Sequence, residues 1–173
     1  MEDPWITLAF TREDKQKFHD RRWRVIASRY PMLFDEQDRT KAIKQAARGY
    51  YFFEWTTAVH IYEKLGLRSL FGQYASLSHV GKQKIFERIA PTDVVDTLRE
   101  RTKFGRTLGP DLFVYKDDGS DWFFVEAKSP RDTLREPQRR LFARLEQASG
   151  RHIRVVRFQR RVSSDAGSVG RSA

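Results

Sequence analysis

The apolar positions of this chain keep a helical rhythm through the front half and shift later to short continuous runs. Thr11, with Glu13 and Asp14 after it, predicts a helix that runs to Tyr30, where Pro31 stops it, with Phe18 and Trp23 as core contacts. A second helical stretch begins near Asp35 and continues, bent at Gly49, into a third over Tyr50 to Leu65. On a wheel of about 100° per residue, Tyr51, Trp55, Ala58, Ile61, Tyr62 and Leu65 share one broad face of that third helix. Helices are also expected over Ser78 to Ile89 and Thr92 to Lys103, with Pro91 between them, and over Pro137 to Gln147, stopped by Gly150. The runs Leu112 to Tyr115 and Trp122 to Ala127 read as strands. Between them Asp118-Gly119 predicts a two-residue hairpin turn.

Counting outward from that turn gives the register. If Asp117 pairs with Ser120, Tyr115 faces Trp122, and Asp111 lands across from Glu126 on the same sheet face. Lys128, two residues on, shares that face. Opposed carboxylates repel, and a hard divalent cation relieves the repulsion, since Mg²⁺ is typically held by one or two carboxylates with water and phosphate oxygens. A lysine alongside would meet a substrate phosphate or the attacking water. The ordinary reading of one Glu-x-Lys is an exposed strand edge; its conjunction with the preceding Asp and hairpin favours a metal site that cuts phosphodiesters.

Two helical residues extend the cluster. Glu54 lies inside the apolar face of its helix, about 40° from Ala58, where an unpaired charge costs several kcal/mol. Ligation or positioning of the metal competes there with a buried salt bridge or a snorkelling side chain. Gln138 lies about 20° from Leu145 on a helix whose core face is Leu141, Phe142 and Leu145, so it points at the sheet, in a site role or as a cap or packing residue. Arg139, Arg140 and Arg144 point away from that face.

Gly109-Pro110-Asp111, then Phe124-Val125-Glu126-Ala127-Lys128-Ser129-Pro130, then Gln138, then Gly150 before a terminal Val-rich strand resembles the VRR-NUC branch of the PD-(D/E)xK nuclease superfamily. The resemblance implies an α/β fold, a restriction-endonuclease-like core with a central mixed β-sheet flanked by helices, although the family's first core strand has no evident counterpart. It implies Mg²⁺ or Mn²⁺ held by Glu54, Asp111, Glu126 and the backbone carbonyl of Ala127, with Lys128 assisting the water and Gln138 supporting the site. Arg131, Arg139 and Arg140 would hold flanking phosphates. The implied activity is an endonuclease on branched DNA such as Holliday junctions or flaps, working as a homodimer. Residues 1–47 are then a helical N-terminal extension, 48–162 the nuclease-like domain and 163–173 a disordered tail.

Composition is consistent with this reading. The chain of 173 residues, 39% hydrophobic with 13 Phe and 4 Trp, supplies one core. An excess of 33 Lys and Arg over 23 Asp and Glu gives a net charge of +10, which favours a polyanionic partner. With no cysteine, thiolate metal sites, disulfides and cysteine nucleophiles are excluded. Gly81-Lys82 lacks the spaced glycine of a P-loop, and His19, His60, His79 and His152 show no zinc spacing. Without an apolar span or leader pattern, the expectation is a soluble cytoplasmic protein. Two other readings stay open: a catalytically silent DNA-binding module and a sequence-specific restriction-type endonuclease.

Overall fold

The computed structural model describes residues 5–33, 44, 48–72, 74–76, 79–102 and 109–161. It is an α/β structure on one five-stranded mixed sheet with helices on both faces. The strands are β1 (Ile6–Phe10), β2 (Arg68–Phe71), β3 (Leu112–Tyr115), β4 (Trp122–Lys128) and β5 (Arg154–Arg160), in spatial order β1-β5-β4-β3-β2. β2, β3 and β4 are antiparallel in turn, whereas β5 is parallel to both β4 and β1. The helices are α1 (Arg12–Lys17), α2 (Trp23–Arg29), α3 (Phe52–Leu65), α4 (Val80–Ile89), α5 (Thr92–Thr102) and α6 (Glu136–Ser149).

β4 is the central strand. Both its faces are covered, so it reads as a continuous apolar run rather than an alternating one. Leu112, Val114, Phe123 and Val125 face one layer with Trp55 and Ile61 of α3; Phe113, Tyr115, Trp122 and Phe124 face the other with Phe86, Val94 and Leu141. Glu126 and Lys128 fall on the second face by alternation, at the end of β4.

The β3–β4 register is the one the turn implied: Tyr115 pairs with Trp122 and Leu112 with Val125. The turn itself differs. A two-residue type I′ turn needs positive φ at both central residues. Only Gly119 has it, at 73°. Lys116 instead accepts from Gly119 N–H at 2.9 Å and donates to Asp121 O at 2.9 Å, so a longer loop closes the hairpin in the same register. Asp118 Oδ1 holds that loop by accepting from Ser120 N–H and Oγ–H, at 2.9 and 2.6 Å. These donors, Ser120 hydroxyl first, lower its carboxyl to about 2.

The run from Thr11 to Tyr30 is not one helix. Thr11 caps it as expected, exchanging hydrogen bonds with Asp14, but a π turn over Phe18–Arg22 separates α1 from α2. Along an unbroken α-helix Phe18 and Ala27 would point about 180° apart. The wider turn shifts the phase by one residue, about 100°, and both side chains enter the same core. The side chain of Trp23 lies outside the described residues. α3 starts at Phe52 rather than Tyr50, with Tyr51 left-handed at φ 66° before it. Phe52 is buried, while Tyr51 and Leu65, expected on the apolar face, are exposed because they sit at the helix ends.

β1 and β2 were not expected. β1 comes from the segment read as a helical extension, yet it pairs with β5 in the same sheet. α6 runs one residue earlier and two later than its periodicity indicated, ending at Gly150 with φ 65°. Most of the stretch beginning near Asp35, the expected helix start at Ser78, Lys103 and the tail 163–173 fall on positions outside the described residues. Among the described residues, no helix is long and apolar enough to cross a membrane.

Candidate active site

The site forms where β3 begins and β4 ends. Continuing the ladder one step past Leu112 and Val125 sets Asp111 opposite Glu126. The two residues interlock. Asp111 N–H donates to Glu126 Oε2 at 3.2 Å, and Asp111 Oδ2 accepts from Ala127 N–H at 2.8 Å. Glu126 is 2% exposed, so its charge needs partners. Lys128 Nζ lies 2.6 Å from Oε1, and Gln138 Nε2 donates to the same oxygen at 2.9 Å. Gln138 Oε1 in turn accepts from Arg135 N–H at 3.2 Å and from Lys128 Nζ at 3.5 Å. Gln138 therefore both closes the first turn of α6 and braces the Glu126–Lys128 pair.

Glu54 feels the charge of this cluster from the other layer. It sits in the first turn of α3, the helix packed on the opposite sheet face, and couples to the site through charge. Burial raises its carboxyl above the ordinary range; Glu126 and Asp132 push it further up, and Lys128 opposes them. Asp111 is pushed well up, first by burial, then by Glu126 and Glu54, against the pull of Ala127 N–H and Lys128. Three carboxylates thus repel one another around one lysine. Ala127 contributes its N–H to Asp111, and its side chain faces the α3 layer.

Several residues that carried no sequence signal hold Asp111 in place. Tyr74 is buried, and its hydroxyl donates to Pro110 O at 2.9 Å. Burial, then Asp111 and Glu126, keep that phenol well above its usual pKa. Gly72 N–H donates to Asp111 O at 2.9 Å. Lys82, 2% exposed, donates from Nζ to the carbonyls of Phe71 and Gly72 at 2.8 and 3.1 Å. Asp132 closes the turn after β4, accepting from Ser129 Oγ at 2.6 Å. A Ser-x-x-Asp spacing could have marked that turn; nothing local marks Tyr74 or Lys82.

Among the described residues, no three His, Cys, Asp or Glu side chains form a ready-made metal cage. The donor set nevertheless fits a hard cation. It is oxygen-rich, Asp111 and Glu54 are pushed up first by burial and then by neighbouring carboxylates, and Mg²⁺ needs only one or two carboxylates when water and phosphate complete its shell. Arg131, Arg139 and Arg140 are exposed, on the β4–α6 loop and near the start of α6. Arg139 Nε donates to Leu134 O at 3.2 Å, and Arg140 pairs with Glu136 at 2.9 Å. No family model, curated protein or solved structure matches the chain.

Proposed function

We propose that this protein is a metal-dependent endonuclease with a PD-(D/E)xK-type site of the kind its motifs resemble, hydrolysing phosphodiester bonds in DNA. The observation that carries the reading is the interlocked Asp111–Glu126 pair, braced by Lys128 and Gln138, with Asp111 held well above its usual pKa beside Glu54. Carboxyls perturbed by burial and by a neighbouring charge, as Asp111 and Glu54 are, cluster at functional sites. The +10 charge of the chain supports a polyanionic substrate.

Asp111, Glu126 and Glu54 would hold Mg²⁺ or Mn²⁺, with the Ala127 carbonyl as a further oxygen donor. The bound ion would polarise the scissile phosphate and lower the pKa of a coordinated water. Lys128 has three N–H donors. Glu126 takes one and Gln138 Oε1 engages a second, so a third remains for the attacking water or a phosphate oxygen. Arg131, Arg139 and Arg140 would position the flanking backbone without reading sequence. The substrate and assembly implied by the resemblance, branched DNA cut by a homodimer, form part of the proposal.

A silent DNA-binding module is the second reading, favoured by one observation: both oxygens of Glu126 already have protein partners. Cleavage of labelled four-way junction, flap, single-stranded and duplex DNA in Mg²⁺, Mn²⁺ or EDTA decides between them. Metal-dependent cutting by the wild type, lost in Asp111→Ala and Lys128→Ala, supports the nuclease. Binding to all four DNAs without cutting any overturns it, and discrete fragments from random duplex identify the restriction-type alternative.

A further inference from the structure

A cavity lies on the strand next to the one that carries Glu126 and Lys128. α6 carries two stripes: Gln138, Leu141 and Leu145 face the site and core, while Arg139, Phe142, Ala143 and Glu146, at i, i+3, i+4 and i+7, line a cavity of about 660 Å³. The opposite wall is the start of β5, with Ile153, Arg154 and Val155, and Trp5 ahead of β1. Val155 pairs in register with Glu126, and Arg139 directly follows Gln138. One strand spacing, roughly 5 Å, therefore separates the backbone of Val155 in the cavity wall from that of Glu126 in the candidate active site.

The chemistry of its walls is specific. The backbone of Trp5 is tied to β5 by its amide N–H, which donates to Val155 O at 2.9 Å. The Arg154 guanidinium lies 4.5 Å from the centroid of the Trp5 ring and 3.6 Å from that of Phe123, so a cation packs against the indole in the cavity wall. Arg139 adds positive charge to the lining, and His152 adds an imidazole. The one carboxylate, Glu146, is engaged by Ile153 N–H at 2.8 Å and by His152 at 3.5 Å. An aromatic ring and two guanidinium groups in one cavity suit a stacked base joined to a phosphate.

We propose that this cavity receives an unpaired nucleotide of the DNA strand next to the scissile phosphate, stacking its base on Trp5 with Arg139 on its phosphate. The inference rests on the nuclease reading for its substrate class. It makes the protein a reader of DNA with an unpaired base beside the cut, because a base held in a duplex stack does not reach the indole.

Its test is binding in EDTA, where no cutting intervenes. The probes are duplexes bearing 2-aminopurine either in an unpaired overhang or within the paired region. The wild type is expected to quench the unpaired probe selectively, and Trp5→Ala to lose that quenching together with about tenfold in affinity. Trp5→Phe is expected to retain both. Arg139→Glu alters an exposed side chain and tests the same cavity if Trp5→Ala does not fold; it is expected to weaken the unpaired probe more than the paired one. Equal quenching of both probes, or wild-type binding in Trp5→Ala or Arg139→Glu, overturns the proposal. The nuclease reading fails separately. A wild type that quenches the unpaired probe but cuts nothing in Mg²⁺ or Mn²⁺ retains the pocket and loses the nuclease, and cutting without selective quenching does the reverse.

Discussion

Asp111 and Glu126 each bind the other's strand: the N–H of Asp111 donates to Glu126 Oε2 at 3.2 Å, and the carboxylate of Asp111 accepts the amide beside Glu126, that of Ala127, at 2.8 Å. Two acids that repel are kept adjacent by backbone donors. The site therefore holds a tension that a cation would relieve.

Asp111→Asn is expected to abolish metal-dependent cleavage while stabilising the metal-free protein by up to about 1 kcal/mol, the scale of relieving opposed like charges. The sign follows from the raised carboxyl. In the wild type, the stability contribution of Asp111 is full below its unfolded pKa, near 3.8, and is lost as pH rises through the higher folded value. The Tm advantage of the Asn variant, measured in EDTA, should therefore widen with rising pH. An Asn variant less stable than wild type at every pH would contradict it.

Lys128→Met leaves the buried Glu126 carboxylate without its cation, a change that typically costs about 3–5 kcal/mol. Adding Glu126→Gln is expected to recover most of that loss without restoring cleavage. Urea unfolding of the two single variants and the double variant measures the coupling. Additive losses would mean that the pair is not the unit described here.

Tyr74→Phe removes one hydrogen bond to Pro110 O and is expected to cost about 1 kcal/mol. Because Tyr74 acts through the segment that carries Asp111, the expected kinetic effect is a higher Mg²⁺ concentration for half-maximal cleavage at little-changed DNA affinity. A metal titration of cleavage checks this. An unchanged half-saturation point would assign Tyr74 to packing alone.

Asp118→Ala is expected to lower the Tm at neutral pH and to match wild type in strong acid. The Asp118 carboxyl is lowered to about 2, so its contribution is present above the unfolded value and is lost as pH falls through the folded one. Parallel melting curves from pH 7 down to about 2 test the convergence.

Local sequence carried the β3–β4 pairing because a hairpin is a local object. Six residues separate the strands, and the pattern on either side allowed one register, even though Asp118 does not take the left-handed conformation of a two-residue turn. Asp111, Glu126 and Lys128 could be placed on one face by counting. Gln138 could be aimed at the sheet from its wheel position, although its bond to Glu126 could not be read there.

What the sequence determined by itself is therefore what depends on near neighbours: the central hairpin, the caps at Thr11 and Gly150, the helical faces and the basic charge. Tertiary structure decided the rest. β1 and β2 are short edge strands whose amides are satisfied by β5 and β3, partners far away in the chain, so their strand character depends on pairing rather than on local pattern. Glu54 comes within the field of Glu126 only because α3 packs across the opposite face of the sheet. Tyr74 and Lys82 become supports of Asp111 only when β2 closes on β3, because a buried donor is defined by the carbonyl it meets and not by its place in the sequence.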